Sequence, residues 1–149
     1  MIIFAPVNVD EYSYHTPMRT ITKIIIHCSA TPEGKPVTVQ EIDQWHRNRG
    51  FRCIGYHYII GLEGQIEIGR PVEQSGSHCR GFNADSIGIC YIGGLDSAGR
   101  PKDTRTPEQK VALQQLVQLL KRAYPGASVH GHREFAQKAC PCFDVKKEF

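Results

Sequence analysis

The chain has 149 residues, long enough for one domain with a full core. Its 18 Lys and Arg against 15 Asp and Glu leave a net charge of +3. That is too small to argue for a nucleic-acid partner, though it suits an anionic polymer as substrate, and no apolar run approaches the roughly 20 residues of a membrane span.

Residues 1–20 read as an irregular N-terminal arm. The opening MIIFAPVNVDEYSYHTP has no basic start and breaks its apolar run at Pro6, so it is not expected to be a signal peptide. Lys23 to Cys28, KIIIHC, is a continuous β-branched run that suits a central strand buried on both faces, with His27 near its end. Thr38-Val39-Gln40-Glu41 is a capping box opening a helix through Ile42, Trp45 and His46, which Gly50 stops. Tyr56 to Ile60 reads as a second strand, turned by Glu63-Gly64 into the alternating, half-buried Gln65 to Gly69. Ser86 to Ile92 is a third core strand, ended by Gly93-Gly94 and followed by a polar loop up to Pro107. Thr106, Pro107 and Glu108 start a second helix, whose apolar residues recur at helical spacing to a stop at Pro125-Gly126. Ser128 to Gly131 is a short last strand. Strands alternating with two long helices predict an α/β fold, a central mixed β-sheet flanked by helices.

The last segment, HGHREFAQKACPCFD, holds His130, His132, Cys140 and Cys142. If it is extended, the two histidines point to one face, and either or both can serve as ligands. A thiolate is a strong zinc ligand, and Pro141 stiffens the backbone between the two sulfurs; the competing reading is two small buried hydrophobes. No pair of the six cysteines is spaced C-x-x-C, so a redox motif or zinc ribbon is not expected, and most are expected to be free. His27, at a strand end, stands where α/β sheets gather ligands. Lys138 and Tyr56 are candidate electrostatic and acid/base groups; a solvated charge and a packed ring are the plainer alternatives.

Six stretches in order, IIIHCSAT, EIDQWHRNRGF, IGYHYIIGLEG, GSHCRGFNADSIGICYIGG, the TPEQ-initiated helix and HGHREFAQKACPCFD, carry a resemblance. They cover about residues 20–147. The chain resembles the type 2 N-acetylmuramoyl-L-alanine amidases, which include small phage lysozymes of the amidase kind and the animal peptidoglycan recognition proteins.

The resemblance implies a peptidoglycan recognition protein/amidase-like fold, with one zinc ion held by His27, His132 and Cys140. It implies catalytic roles for Tyr56 and Lys138, and positions near the substrate groove for His57 and His78. The implied reaction is hydrolysis of the amide between N-acetylmuramic acid and L-alanine in peptidoglycan, by a monomer made in the cytoplasm and acting on the cell wall after release or delivery. Cys142 departs from the serine expected in the closest phage relatives. A binding module of the same fold that does not cut is the first alternative; a cysteine hydrolase built on Cys28 or Cys140 and a structural zinc protein are the others.

Overall fold

The computed structural model describes residues 19–149. The expected arm at residues 1–20 therefore lies outside the described residues, except for its last two.

The order of elements is β1 (Lys23–Cys28), β2 (Thr31–Pro32), α1 (Val39–Asn48), β3 (Tyr58–Ile60), β4 (Ile66–Ile68), β5 (Ser86–Tyr91), β6 (Gly94–Leu95), α2 (Pro107–Ala123), β7 (Ser128–Gly131) and α3 (Val145–Glu148). A single 3₁₀ turn, His132–Glu134, follows β7. Five strands form one sheet in the order β4-β3-β5-β1-β7. β1 pairs in parallel with β5 and β7, β3 pairs in parallel with β5, and only the edge strand β4 runs antiparallel. This is the mixed, helix-flanked sheet that the alternation of elements predicts.

Central parallel strands are covered on both faces, which is why β1 and β5 are apolar almost throughout. Ile24, Ile26, Ile87, Ile89 and Tyr91 pack with Leu113, Leu116, Val117 and Leu120 of α2 in the main core. Gln109 ties the start of α2 to the sheet, its Nε2 donating to the carbonyls of Ile60 at 3.2 Å and Ile92 at 2.9 Å. Both long helices begin with complete capping boxes, Thr38 with Glu41 and Thr106 with Gln109. A smaller core of Ile42, Ile54, Ile59 and Ile92 sits under α1. Alternation along β1 turns Ile25 and His27 to the face opposite α2.

Three expectations need correction, and one element is unforeseen. The second strand begins at Tyr58, not Tyr56, although the Tyr56 and His57 carbonyls still accept from Arg70 and Gly69 at 2.8 and 2.9 Å. The loop after β5 is not wholly irregular: Gly94–Leu95 pairs with Thr31–Pro32 as a two-stranded parallel sheet. A short C-terminal helix, α3, is capped by Asp144. Finally, the extended segment ends at Gly131. His132 opens the 3₁₀ turn, so His130 and His132 do not share a strand face. Glu134 sets this break, accepting from the Gly131 N–H at 2.6 Å and pairing with His130 Nδ1 at 2.9 Å. No helix among the described residues is long and apolar enough to cross a membrane.

Candidate metal centre and its groove

β1 and β7 run parallel and adjacent, so the end of β1 and the turn after β7 meet at the same edge of the sheet. His27 sits at the first and His132 at the second. Their Nδ1 atoms are 3.2 Å apart. Cys140 Sγ lies 3.8 Å from His27 Nδ1. One ligand atom from each of His27, His132 and Cys140 falls within 4.8 Å of the other two, the one such group of three metal-binding side chains among the described residues.

This donor set fits zinc. A tetrahedral centre with Zn–N near 2.0–2.1 Å and Zn–S near 2.3 Å separates two nitrogens by about 3.3 Å and nitrogen from sulfur by about 3.6 Å. The ionisation states fit as well. His27 is held well below the usual imidazole range, first by burial and then by the neighbouring His78, His132 and Lys138. His132 is lowered by burial and by Lys138. Both rings are therefore neutral at pH 7, as ligands must be. The Cys28 N–H donates to Cys140 Sγ at 3.3 Å and so orients the sulfur.

The segment carrying Cys140 is fastened to the core from two sides. Tyr91 Oη donates to the Pro141 carbonyl at 2.7 Å. The Arg105 guanidinium stands 3.4 Å over the Phe143 ring while binding Asp103 and Glu148. Cys142 faces elsewhere: its Sγ contacts the Gly94 carbonyl at 3.3 Å and Cys28 Sγ at 3.9 Å. Burial pushes the Cys142 thiol up to about 12, which keeps it protonated. His130 is likewise outside the cluster, bonded to Ser128 at 2.6 Å and to Glu134.

The cluster opens into a groove of about 1010 Å³. Trp45, 41 % exposed, and Phe51 belong to its apolar lining. So does Phe135, tilted against Phe82 with ring centroids 4.3 Å apart. Arg49, Arg80 and Lys138 add positive charge to the lining. Tyr56 is also there, its ring centroid 5.1 Å from that of His27. Burial holds the Tyr56 phenol well above its ordinary range, so it keeps its proton. Lys138 is exposed at the groove and close enough for its charge to depress both histidines of the cluster.

Of the two histidines expected near the groove, only His78 lines it. His57 is 0 % exposed and packed behind. Its Nδ1 accepts from the Gly88 N–H at 3.0 Å, so its Nε2 donates to the Gln74 carbonyl at 2.8 Å. The groove position implied for His57 is thus replaced by a packing one. Sequence reasoning passed over Ser86, Asn83 and the groove aromatics Trp45 and Phe51. For Ser86 a signal existed, a hydroxyl in a strand otherwise apolar.

Residues 17–143 match the family model described as N-acetylmuramoyl-L-alanine amidase. The endolysin of Klebsiella phage KP32 is 43% identical over 132 residues, covering 89% of this chain and 87% of that protein. The endolysin of Escherichia phage T7 is 44% identical over 124 residues, covering 83% and 82%. Among solved structures, an N-acetylmuramoyl-L-alanine amidase from Clostridium intestinale superposes with a TM-score of 0.76 at 30% identity, covering 92% of this chain and 89% of that one.

Proposed function

The chain belongs to the N-acetylmuramoyl-L-alanine amidase family, and from that premise we propose that it cuts peptidoglycan as a zinc hydrolase whose metal is held by His27, His132 and Cys140. The observation that carries this reading is the convergence of two neutral imidazoles and one thiol, of which His132 and Cys140 line an open groove. Three protein ligands with a position left over is the arrangement of a catalytic zinc rather than a structural one. Bound there, zinc supplies an activated water near neutral pH and polarises the scissile carbonyl.

The remaining work falls to side chains of this chain. The bond cut is the amide joining the lactyl group of N-acetylmuramic acid to L-alanine. Tyr56, keeping its proton beside His27, donates a hydrogen bond to the oxygen that gains charge, or its proton to the departing amine; it does not serve as the base. Lys138, at the groove beside the same cluster, offsets the negative charge of the tetrahedral state. Trp45 offers a flat apolar face of the kind that sugar rings stack on, and Arg49 and Arg80 suit the carboxylates of a peptide stem. All of these groups come from one chain, so a monomer suffices. The phage relatives are endolysins; the same setting here is action on the cell wall after release.

The test is digestion of purified peptidoglycan with zinc-loaded and chelator-treated protein. New L-alanine amino termini without new reducing sugars, lost on chelation and restored by zinc, are expected. New reducing sugars, or cleavage indifferent to the chelator, would overturn the reading.

A further inference from the structure

His27 presents Nδ1 to His132 and Cys140, but its other ring nitrogen is also engaged. Its Nε2 lies 2.8 Å from His78 Nδ1, and the two rings meet edge to face with centroids 4.8 Å apart. His78 Nε2 in turn lies 3.2 Å from Ser86 Oγ. The three groups form a line across the sheet face, from the end of β1 to the start of β5.

The line has a built seat. Ser86 is 0 % exposed and His78 9 %. Gly88 lies in the middle of β5, and a Cβ there would stand 2.7 Å from the Cγ and Cδ2 of His78. A Cβ on Gly76 would stand 2.6 Å from the same Cδ2. Any other residue at Gly88 or Gly76 would push the imidazole off the sheet. The loop carrying His78 is pinned by Asn83, whose Oδ1 accepts from the N–H groups of His78 and Cys79, both at 2.9 Å.

We propose that His78 is a positioning residue for the metal centre: it accepts the Nε2–H of His27, is held by Ser86, and so fixes the tautomer of His27 that leaves Nδ1 bare toward the metal. This rests on the zinc reading above. The bond directions follow from counting protons. A ligating Nδ1 carries none, so His27 Nε2 must donate. His78 Nδ1 is then the acceptor, and its remaining N–H is the one that reaches Ser86. A ring free to flip would offer the metal a protonated nitrogen part of the time, and outer partners of this kind are worth about 10–100-fold in metal affinity.

The experiment combines two readouts on the full chain. Zinc affinity is measured by competition with a chromophoric chelator, and the His27 tautomer by long-range ¹H–¹⁵N NMR of the imidazoles in zinc-free protein. His78→Leu is expected to bind zinc about 10–100-fold more weakly and to show mixed tautomers at His27. His78→Asn, which keeps an acceptor near the Nδ1 position, is expected to recover most of the affinity, and Ser86→Ala to lose a smaller part. Should His78→Leu fail to fold, His78→Asn and Ser86→Ala carry the comparison. Wild-type affinity in His78→Leu, or in Ser86→Ala when the leucine variant does not fold, with His27 still protonated at Nε2, would overturn the proposal. If the unsubstituted protein binds no zinc, the zinc reading fails, and the tautomer alone decides the role of His78.

Discussion

His27 Nδ1 and His132 Nδ1 meet nitrogen to nitrogen, 3.2 Å apart, although 105 residues separate them in the chain. The parallel pairing of β1 with β7 produces this meeting: both strands end at the same edge of the sheet, and each passes one histidine to it. The break into a 3₁₀ turn then selects His132 and leaves His130 on the strand.

That geometry separates the two histidines and the two cysteines by experiment. His132→Ala and Cys140→Ser are expected to lose zinc by more than the about 10–100-fold typical of an outer partner. His130→Ala and Cys142→Ser are expected to keep one zinc per chain. Metal analysis of the four purified variants checks this, and loss of zinc from Cys142→Ser would redraw the centre.

Tyr56→Phe is expected to keep its zinc and lose about 10²–10³-fold in kcat, the range for one donor to developing charge. Lys138→Met should behave the same way, because neither residue is in the ligand cluster. Single-turnover rates on a muramoyl-peptide substrate, beside metal content, make the comparison; an unchanged rate removes that residue from the chemistry.

Acid should weaken the zinc-free fold in a defined window. Burial lowers the His57 pKa to about 4 from the ordinary 6.5. Between those values the unfolded chain binds the extra proton, so stability is full above pH 6.5, falls as pH drops toward 4, and levels off below. The slope from this group approaches 1.4 kcal/mol per pH unit, an order-of-magnitude figure. Denaturant unfolding from pH 7 to pH 4 should show it. His57→Asn, which keeps an acceptor for the Gly88 N–H, should flatten the curve; an equally steep curve would assign the slope to the other buried histidines.

The strap that holds Cys140 predicts a stability effect. Tyr91→Phe leaves the Pro141 carbonyl without its partner and should cost about 1–3 kcal/mol. Thermal unfolding of zinc-free protein is the readout, and an unchanged melting temperature would mean that Pro141 is held by its packing alone.

Much of the fold is legible in the chain because burial leaves plain marks. KIIIHC is continuous and apolar because β1 lies between two strands and under α2, and both capping boxes announce their helices. The proposed ligand set is legible only through resemblance, since His130 and His132 look alike until Glu134 is seen to bend the chain between them. Tyr56 lies outside its expected strand because the apolar pattern continues past the point where ladder pairing stops. The partner of His27 is not legible at all: His78 reaches it from an irregular loop, and only the placement of Gly76 and Gly88 makes room for the ring.

The central claim is that one zinc is held by two imidazoles and one thiolate. X-ray absorption at the zinc edge of stoichiometrically loaded protein tests it most directly. One sulfur near 2.3 Å, with the remaining shell of light atoms near 2.0–2.1 Å, is the expected result. Two sulfurs, which would bring Cys142 to the metal, or none, which would remove Cys140, would contradict it.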